Sequence, residues 1–432
     1  MKISVIGTGY VGLTQGACLA HLGHDVFCVD LLQDRVDALN RGELPMFEEG
    51  LQELVEKGRA EQKIKFTTNL KEALAEKPAV VFVCVQTPSY SDGTCDLSYI
   101  ERVLHQVGPL INASTLVVIK STVPPGTSDA FHSWLGNNDI QIGINPEFLR
   151  QGTSVRDFLH PDRIVIGTES KAAETVLRRL HAGIDAPVIA TNVNTAQMIK
   201  YTANSMLALR LSFMNEIANI ADIMGGDIKK IEEAVGLDPR IGSKFLRASA
   251  GFGGSCFPKD VLALHHAGVR AGYTSKLIAP IIHVNNEQPL RFVNKISTKL
   301  GGLRDRELAV WGLTFNKGTD DVRHSPAMRI VQALRDEGAR LRVFDPQGMD
   351  RAKELLHDSV TFSGSAMEAV NGAEALLVLT EWPEFEKASW QEVKAKLNRT
   401  LLFDGKNYLP HEKIRELGFE VYGIGLWQPP VQ

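Results

Sequence analysis

One unit at the start of the chain restricts its fold more than any other feature. The apolar run KISVIG leads into Gly7-Thr8-Gly9-Tyr10-Val11-Gly12, the GxGxxG spacing, and a second apolar run, DVFCVD, closes on Asp30. Strand, glycine turn, helix and strand in that order read as a βαβ unit. Each glycine has its own task there. Gly7 permits the tight turn, Gly9 lets the backbone approach a pyrophosphate, and Gly12 lets the helix pack closely on the strand. The free N–H groups and the dipole of the helix N-terminus favour an anion. Asp30 is placed to accept hydrogen bonds from an adenosine ribose, where a 2′-phosphate would meet a like charge. The pattern predicts NAD rather than NADP. Arg35, about one helical turn beyond, is expected to pack over the adenine.

The same alternation continues down the chain. KIKFT, AVVFVCV, TLVVIK and QIGIN read as buried strands, with helical patterns at 10–22, 32–41, 98–108 and 126–136, and RIVIG, a helix and PVIAT extend the series. From about Asn194 the pattern changes. No proline or glycine interrupts the next stretch until its end, and apolar residues recur at 199, 203, 206, 209, 213, 217, 220 and 224, near helical period. About thirty residues at 1.5 Å rise make a rod of ~45 Å, a spine between domains or a dimer contact. Residues 227–300 read as mostly helical, interrupted by the glycine-rich stretch 251–254. ELAVWG, RLRVFDP, ALLVLT, TLLFDG and FEVYG then form a second alternating block, in which Ser325 suits an N-cap, Pro326 the first turn and Gly338 the end of one helix. The expected fold is α/β: two Rossmann-like doubly wound domains joined by a helical connector with a long central helix. The segments read as 1–193, NAD-binding; 194–300, helical and dimerising; and 301–432, the C-terminal α/β domain.

Composition removes several function classes. A net charge of -4 carries no electrostatic footprint for nucleic acid, and no run of about 18 apolar residues would span a membrane. The cysteines at 18, 28, 84, 95 and 256 are odd in number and lack CxxC spacing, which argues against a disulfide framework or a zinc site and for a reducing cytoplasm.

A lone cytosolic cysteine is usually a small buried hydrophobe. Cys256 has a different setting, Gly251-Phe252-Gly253-Gly254-Ser255-Cys256-Phe257-Pro258-Lys259-Asp260. The glycines let a loop press against a ligand, and Pro258 suits the first turn of a helix through 266. A helix start and Lys259 both favour thiolate over thiol, and Asp260 would face the same site. On the long helix, Lys200 and Asn204 stand four residues apart, so they stack on one face where both can donate to an oxyanion.

Together these residues resemble the UDP-glucose/GDP-mannose dehydrogenase family, over nearly the whole chain. The marks are GTGYVGL at 7–13, TP at 87–88, STVPPGT at 121–127, NPEFL at 145–149, PDRIVIG at 161–167, QMIKYTAN at 197–204, GFGGSCFPKD at 251–260 and FNKGTDDVR at 315–323. DPRIGSKFLRASAGFGGSC looks like the UDP-glucose branch. The resemblance implies a four-electron oxidation of a sugar's primary alcohol to a carboxylate, with two NAD⁺ consumed and Cys256 carrying a thiohemiacetal and then a thioester. It assigns oxyanion stabilisation to Lys200 and Asn204, and water and proton handling to Thr122, Glu147 and Asp260. Tyr10, Val11, Thr87, Pro88, Thr122, Lys259 and Arg323 would join the glycines, Asp30 and Arg35 around NAD. Glu147, Phe148, Leu149, Phe245, Arg247, Gly251, Phe252, Gly253, Phe315, Lys317 and Lys406 would hold the nucleotide sugar with Lys200 and Asn204. Arg240 would reach a partner subunit's active site, the C-terminal domain would bind UDP, and the long helix would build a dimer.

Two positions depart from the family pattern. Gln151 stands where a glutamate is common, and a glutamine cannot act as a general base. Lys406 stands where arginine is frequent, which keeps the charge but loses the bidentate fork. The same chemistry on GDP-mannose or a UDP-N-acetylhexosamine is the near alternative. A two-electron 2-hydroxyacid-type dehydrogenase would need neither the nucleophilic cysteine nor the second α/β domain. A catalytically dead NAD-sensing scaffold should have lost Cys256, Lys200 or Asp260, and all three are present.

Overall fold

The computed structural model describes residues 1–90 and 92–426. The chain divides into two compact units, one of residues 1–203 with 262–274, the other of 204–261 with 275 onward.

The first unit is built on an eight-stranded sheet. Its strands are β1 (Lys2–Ile6), β2 (Asp25–Val29), β3 (Ile64–Thr67), β4 (Val80–Val83), β5 (Leu116–Ile119), β6 (Ile142–Ile144), β7 (Ile164–Gly167) and β8 (Val188–Thr191). They lie in the order β3-β2-β1-β4-β5-β6-β7-β8. All neighbours are parallel except β6 and β7, which meet antiparallel at Ile144 and Gly167. Strand periodicity sends alternate residues to opposite faces. Ile3, Val5, Val80, Phe82, Val118 and Ile166 enter one core cluster, and Val81, Val83, Val117, Ile119 and Val165 enter another. Burial on both faces is why these strands read as unbroken apolar runs. The helix Leu51–Ala60, which no strand or helix signal in the sequence announces, packs on the helix Tyr10–His21.

The second unit carries a six-stranded, all-parallel sheet. Its strands are β9 (Glu307–Trp311), β10 (Arg340–Phe344), β11 (Thr361–Phe362), β12 (Ala375–Val378), β13 (Leu401–Asp404) and β14 (Glu420–Tyr422), in the order β11-β10-β9-β12-β13-β14. That is the doubly wound order in which the crossover direction reverses between β9 and β12. Ser325 caps the helix Pro326–Asp336 by accepting from the Ala327 N–H, Pro326 occupies its first turn, and Gly338 follows with φ +89°, as the sequence signals required.

The long helix spans Val193–Met224, and the chain passes from the first unit to the second between its residues 203 and 204. It returns inside the helix Phe257–Arg270, which runs past the expected end at 266 and includes Gly268. The region expected to be mostly helical is interrupted for longer than the glycine run. No helix occupies 237–256, between Ile228–Gly236 and Phe257–Arg270. Pro239, positive φ at Gly242, Phe245, Gly251 and Gly254, and side chains that satisfy the loop backbone explain the difference. Arg210 donates to the Ile241 and Gly242 carbonyls, Asn215 accepts from the Ser249 N–H, and Asn285 pairs with both N–H and C=O of Phe252. Among the described residues, no helix is long and apolar enough to cross a membrane.

Candidate active site

The glycine turn of the first unit separates what the fold needs from what a ligand needs. Gly7 has φ +96°, and a Cβ there would lie 2.8 Å from the Cys84 carbonyl oxygen; at Gly12 a Cβ would lie 1.9 Å from the Gly7 carbonyl oxygen. Both glycines are therefore demanded by the chain itself. A Cβ at Gly9 would meet nothing within 4 Å. That open approach to backbone at the N-cap of the helix Tyr10–His21 fits the pyrophosphate of a dinucleotide. Asp30, at the end of β2, is nearly buried. One of its oxygens accepts from the Thr8 N–H (2.8 Å), the Thr8 hydroxyl (2.7 Å) and Arg35 (3.2 Å), the other from the Leu32 N–H (3.1 Å). Burial pushes this carboxyl up, but the bonds from Thr8 and Leu32 and the charge of Arg35 outweigh it and hold the acid below its usual range. Arg35 thus reaches back to Asp30 from the first turn of its helix. Tyr10 and Val11 form the first turn of theirs, and Thr87 and Pro88 follow β4.

Beyond β6, the NPEFL segment turns Glu147 into the protein. Its carboxylate accepts from Lys200 Nζ at 2.9 Å and from the Leu149 N–H at 2.6 Å, and both members of the ion pair are buried. Burial raises this carboxyl, but Lys200, the Leu149 N–H and Lys120 together hold it below its usual value. Phe148 stacks under Arg163, whose guanidinium lies 3.6 Å from the ring centroid, with Lys200 5.4 Å from the same ring. Glu48 anchors the following turn by accepting from the Gly152 and Ser154 N–H groups, beside Gln151. Thr122 follows β5 in a loop tied to the long helix: the Gly126 N–H donates to Asn194 Oδ1 at 3.0 Å.

In the second unit, Cys256 is exposed at the start of the helix Phe257–Arg270, and its carbonyl accepts the first helical hydrogen bond from the Asp260 N–H. The Ser255 hydroxyl lies 3.7 Å from its Sγ. Asp260 is fully buried. One carboxylate oxygen accepts from Asn204 Nδ2 at 2.6 Å, the other from Lys259 Nζ at 2.5 Å. The structure therefore joins Asn204, Asp260 and Lys259, and directs Lys259 to the carboxylate. Crowding explains the glycines before the cysteine. A Cβ at Gly253 would lie 2.3 Å from the His324 carbonyl oxygen, and one at Gly254 would lie 2.8 Å from the Phe315 ring. Phe252 and Phe245 flank Phe257, with ring centroids at 5.8 and 6.4 Å. Lys406 Nζ sits 3.6 Å from Glu381 and 3.4 Å from the Phe315 carbonyl, and Arg247 lies in the field of Glu232 and Lys229.

Models of three domains match the chain, each described as part of the UDP-glucose/GDP-mannose dehydrogenase family: the NAD binding domain over residues 1–185, the central domain over 194–287 and the UDP binding domain over 309–411. The chain belongs to this family. Within it, the chain is 39% identical to the UDP-glucose 6-dehydrogenase TuaD of Bacillus subtilis (strain 168), covering 98% of this chain and 93% of that one. It is 40% identical to the UDP-glucose 6-dehydrogenase of Rhizobium meliloti (strain 1021), over 98% and 99%. The solved UDP-glucose dehydrogenase of the archaeon Pyrobaculum islandicum superposes with a TM-score of 0.91 at 36% identity, over 99% and 98% of the two chains. The UDP-N-acetyl-mannosamine dehydrogenase Cap5O of Staphylococcus aureus superposes at 0.83 with 27% identity, over 98% of each.

Other residues of the expected site are engaged elsewhere or exposed in this member of the family. Arg323 forks onto Asp321 (2.9 and 2.7 Å), and Arg240 onto Asp238 at the surface. Lys317 lies in an exposed turn. Sequence reasoning missed Lys120, Asn145, Arg163 and Glu48. The signal for Lys120 was present: a lysine closing TLVVIK, an apolar run with no polar face to receive it.

Proposed function

We propose that this chain oxidises the primary alcohol of UDP-glucose through the aldehyde to the carboxylate of UDP-glucuronate. The observation that carries the chemistry is an exposed cysteine at a helix start whose first turn bears the buried Asp260–Asn204 pair. The choice of sugar rests on relatives named UDP-glucose 6-dehydrogenase at 39–40% identity, against 27% for the N-acetylmannosamine enzyme.

Gly7, Gly9 and Gly12 with Asp30 would hold NAD⁺, and two successive molecules of it would each accept one hydride. The remaining work belongs to the chain. Cys256 Sγ adds to the aldehyde carbon, and the carbonyl oxygen becomes an oxyanion to which Asn204 and Lys200 donate. After the second oxidation the carbon is held as a thioester. Asp260 and Glu147, with Thr122, orient the water that adds to it; the C–S bond breaks, the thiolate leaves and the carboxylate departs. Phe315, Lys317, Arg247, Lys406 and the 247–253 loop hold the nucleotide. We also infer a homodimer built on the exposed side of the long helix, and a cytoplasmic location, which an odd number of cysteines without CxxC spacing supports.

Counting NADH against limiting UDP-glucose tests the reaction. Two NADH per sugar with little free aldehyde is expected; one would remove the four-electron mechanism. A panel of GDP-mannose and UDP-N-acetylhexosamines run alongside tests the sugar.

A further inference from the structure

Lys120 is a buried cation to which the mechanism above gives no task. It closes β5, and its backbone N–H bonds the Val83 carbonyl of β4. Its ammonium donates to Asn145 Oδ1 at 3.2 Å, with the Asn145 carbonyl at 3.5 Å. Asn145 is itself buried and donates onward to the Val165 carbonyl at 2.9 Å. Two residues later comes Glu147, paired with Lys200.

The groups whose charge acts on Lys120 include Cys84, Glu147, Lys200 and Cys18, and Lys120 acts in turn on the buried His181, whose ring burial keeps neutral. Burial pushes both thiols up to about 12, so they are neutral. Of these four, Glu147 is the anion and Lys200 the second cation. The Glu147 carboxylate therefore lies in the field of two buried lysines. Burying an ammonium is costly, and a methionine of similar length would fill the same space without that cost. Packing alone does not explain the residue.

We propose that Lys120 is a positioning residue for this reaction, holding the Asn145–Glu147 turn in register and acting as a second counter-ion to Glu147, so that Lys200 is not bound to that carboxylate as its sole partner. Lys200 is then available to donate to the oxyanion. The inference rests on the assignment of Glu147 and Lys200 to the reaction. It concerns the first unit alone.

Removing a positive charge makes every nearby group hold its proton more tightly, whether carboxyl or ammonium. The test compares the unsubstituted enzyme with Lys120→Met and Lys120→Gln. NAD⁺ affinity by fluorescence titration, thermal midpoint, and the pH profile of kcat are measured for each. Both variants are expected to fold and to bind NAD⁺ unchanged, with Lys120→Met somewhat less stable because it leaves Asn145 Oδ1 without its donor. Their kcat should fall about tenfold, and the pH profile should move up by about one unit. Glutamine can still donate to Asn145, so recovery of the original profile in Lys120→Gln alone would show that a hydrogen bond suffices and would overturn the charge role. An unmoved profile in both variants, with or without a lower kcat, reduces Lys120 to packing. Loss of folding in both would do the same. The NADH count on the unsubstituted enzyme separates failure of the underlying reaction from failure of this role.

Discussion

Asp30 and Asp345 show how one residue type serves two ends. Each follows the second strand of its sheet, and each accepts from both the backbone N–H and the hydroxyl of a threonine, Thr8 or Thr314, on one oxygen. Asp345 also takes the Leu313, Gln347 and Gly348 N–H groups and the Trp382 indole, and is fully buried. It is a structural clasp. Asp30 lacks the indole and retains some exposure, which leaves room for a ribose. Cys256 poses the residue-scale question most directly. Oxidation of an aldehyde by hydride transfer needs a tetrahedral adduct first, and a thiolate forms one faster than water does. Cys256→Ala is expected to bind UDP-glucose and NAD⁺ yet release no glucuronate, and Asp260→Asn to slow hydrolysis enough that the Cys256 peptide gains the mass of a UDP-glucuronyl group. Glucuronate formed by Cys256→Ala at close to the original rate would make the cysteine a bystander.

Among the elements, the long helix carries the clearest unpartnered surface. Ala208, Met214, Ala218 and Ala221 are buried, whereas Met206, Phe213, Ile220, Ile223 and Met224 are exposed. The spacing 206, 213, 220 repeats every seven residues, the period that keeps one stripe facing a neighbouring helix. Large apolar side chains gathered on one exposed face mark an interaction surface. Phe213→Glu with Ile220→Glu is expected to leave each unit folded by circular dichroism and to shift the sedimentation mass from dimer to monomer. An unchanged mass would place self-association elsewhere.

For the molecule as a whole, acid stability is set partly by a buried histidine. His181 caps the helix Lys171–Leu180, donates from Nδ1 to the Leu177 carbonyl at 2.9 Å, and is buried. Burial lowers its pKa from 6.5 to about 4. The folded chain therefore keeps the ring neutral over a window in which the unfolded chain takes up a proton. Stability from this group is complete above 6.5 and is lost as pH falls towards 4, by about 3 kcal/mol in all. Urea unfolding of the unsubstituted protein should weaken between pH 7 and 4.5, and His181→Gln should flatten that slope. An equal slope in both would assign the acid sensitivity to another group such as His24, whose ring burial likewise holds below its usual value; the depressed carboxyls of Asp30 and Glu147 are felt only at lower pH.

Much of this was legible in one dimension. Apolar runs bounded by glycine and proline located most strands, because strands buried on both faces tolerate no polar alternation. The GxGxxG spacing, Asp30 and the Ser325-Pro326 cap were readable because each acts within a few residues of itself, through turn geometry and local hydrogen bonds. The GFGGSCFPKD segment announced a cysteine at a helix start for the same reason. Other features needed distance to vanish. The antiparallel meeting of β6 and β7, the division of the chain within two helices, and the choice of Arg35 for Asp30 and Lys259 for Asp260 depend on which groups become neighbours. The stripe at 206, 213 and 220 was visible as a period, but its exposure was not, since periodicity names a face without saying what covers it. Lys120 is the sharpest case. Its sequence showed only a charge at the end of an apolar strand; folding put Asn145 3.2 Å from it and Glu147 within its field, because a parallel sheet lines up the ends of strands that are far apart in the chain.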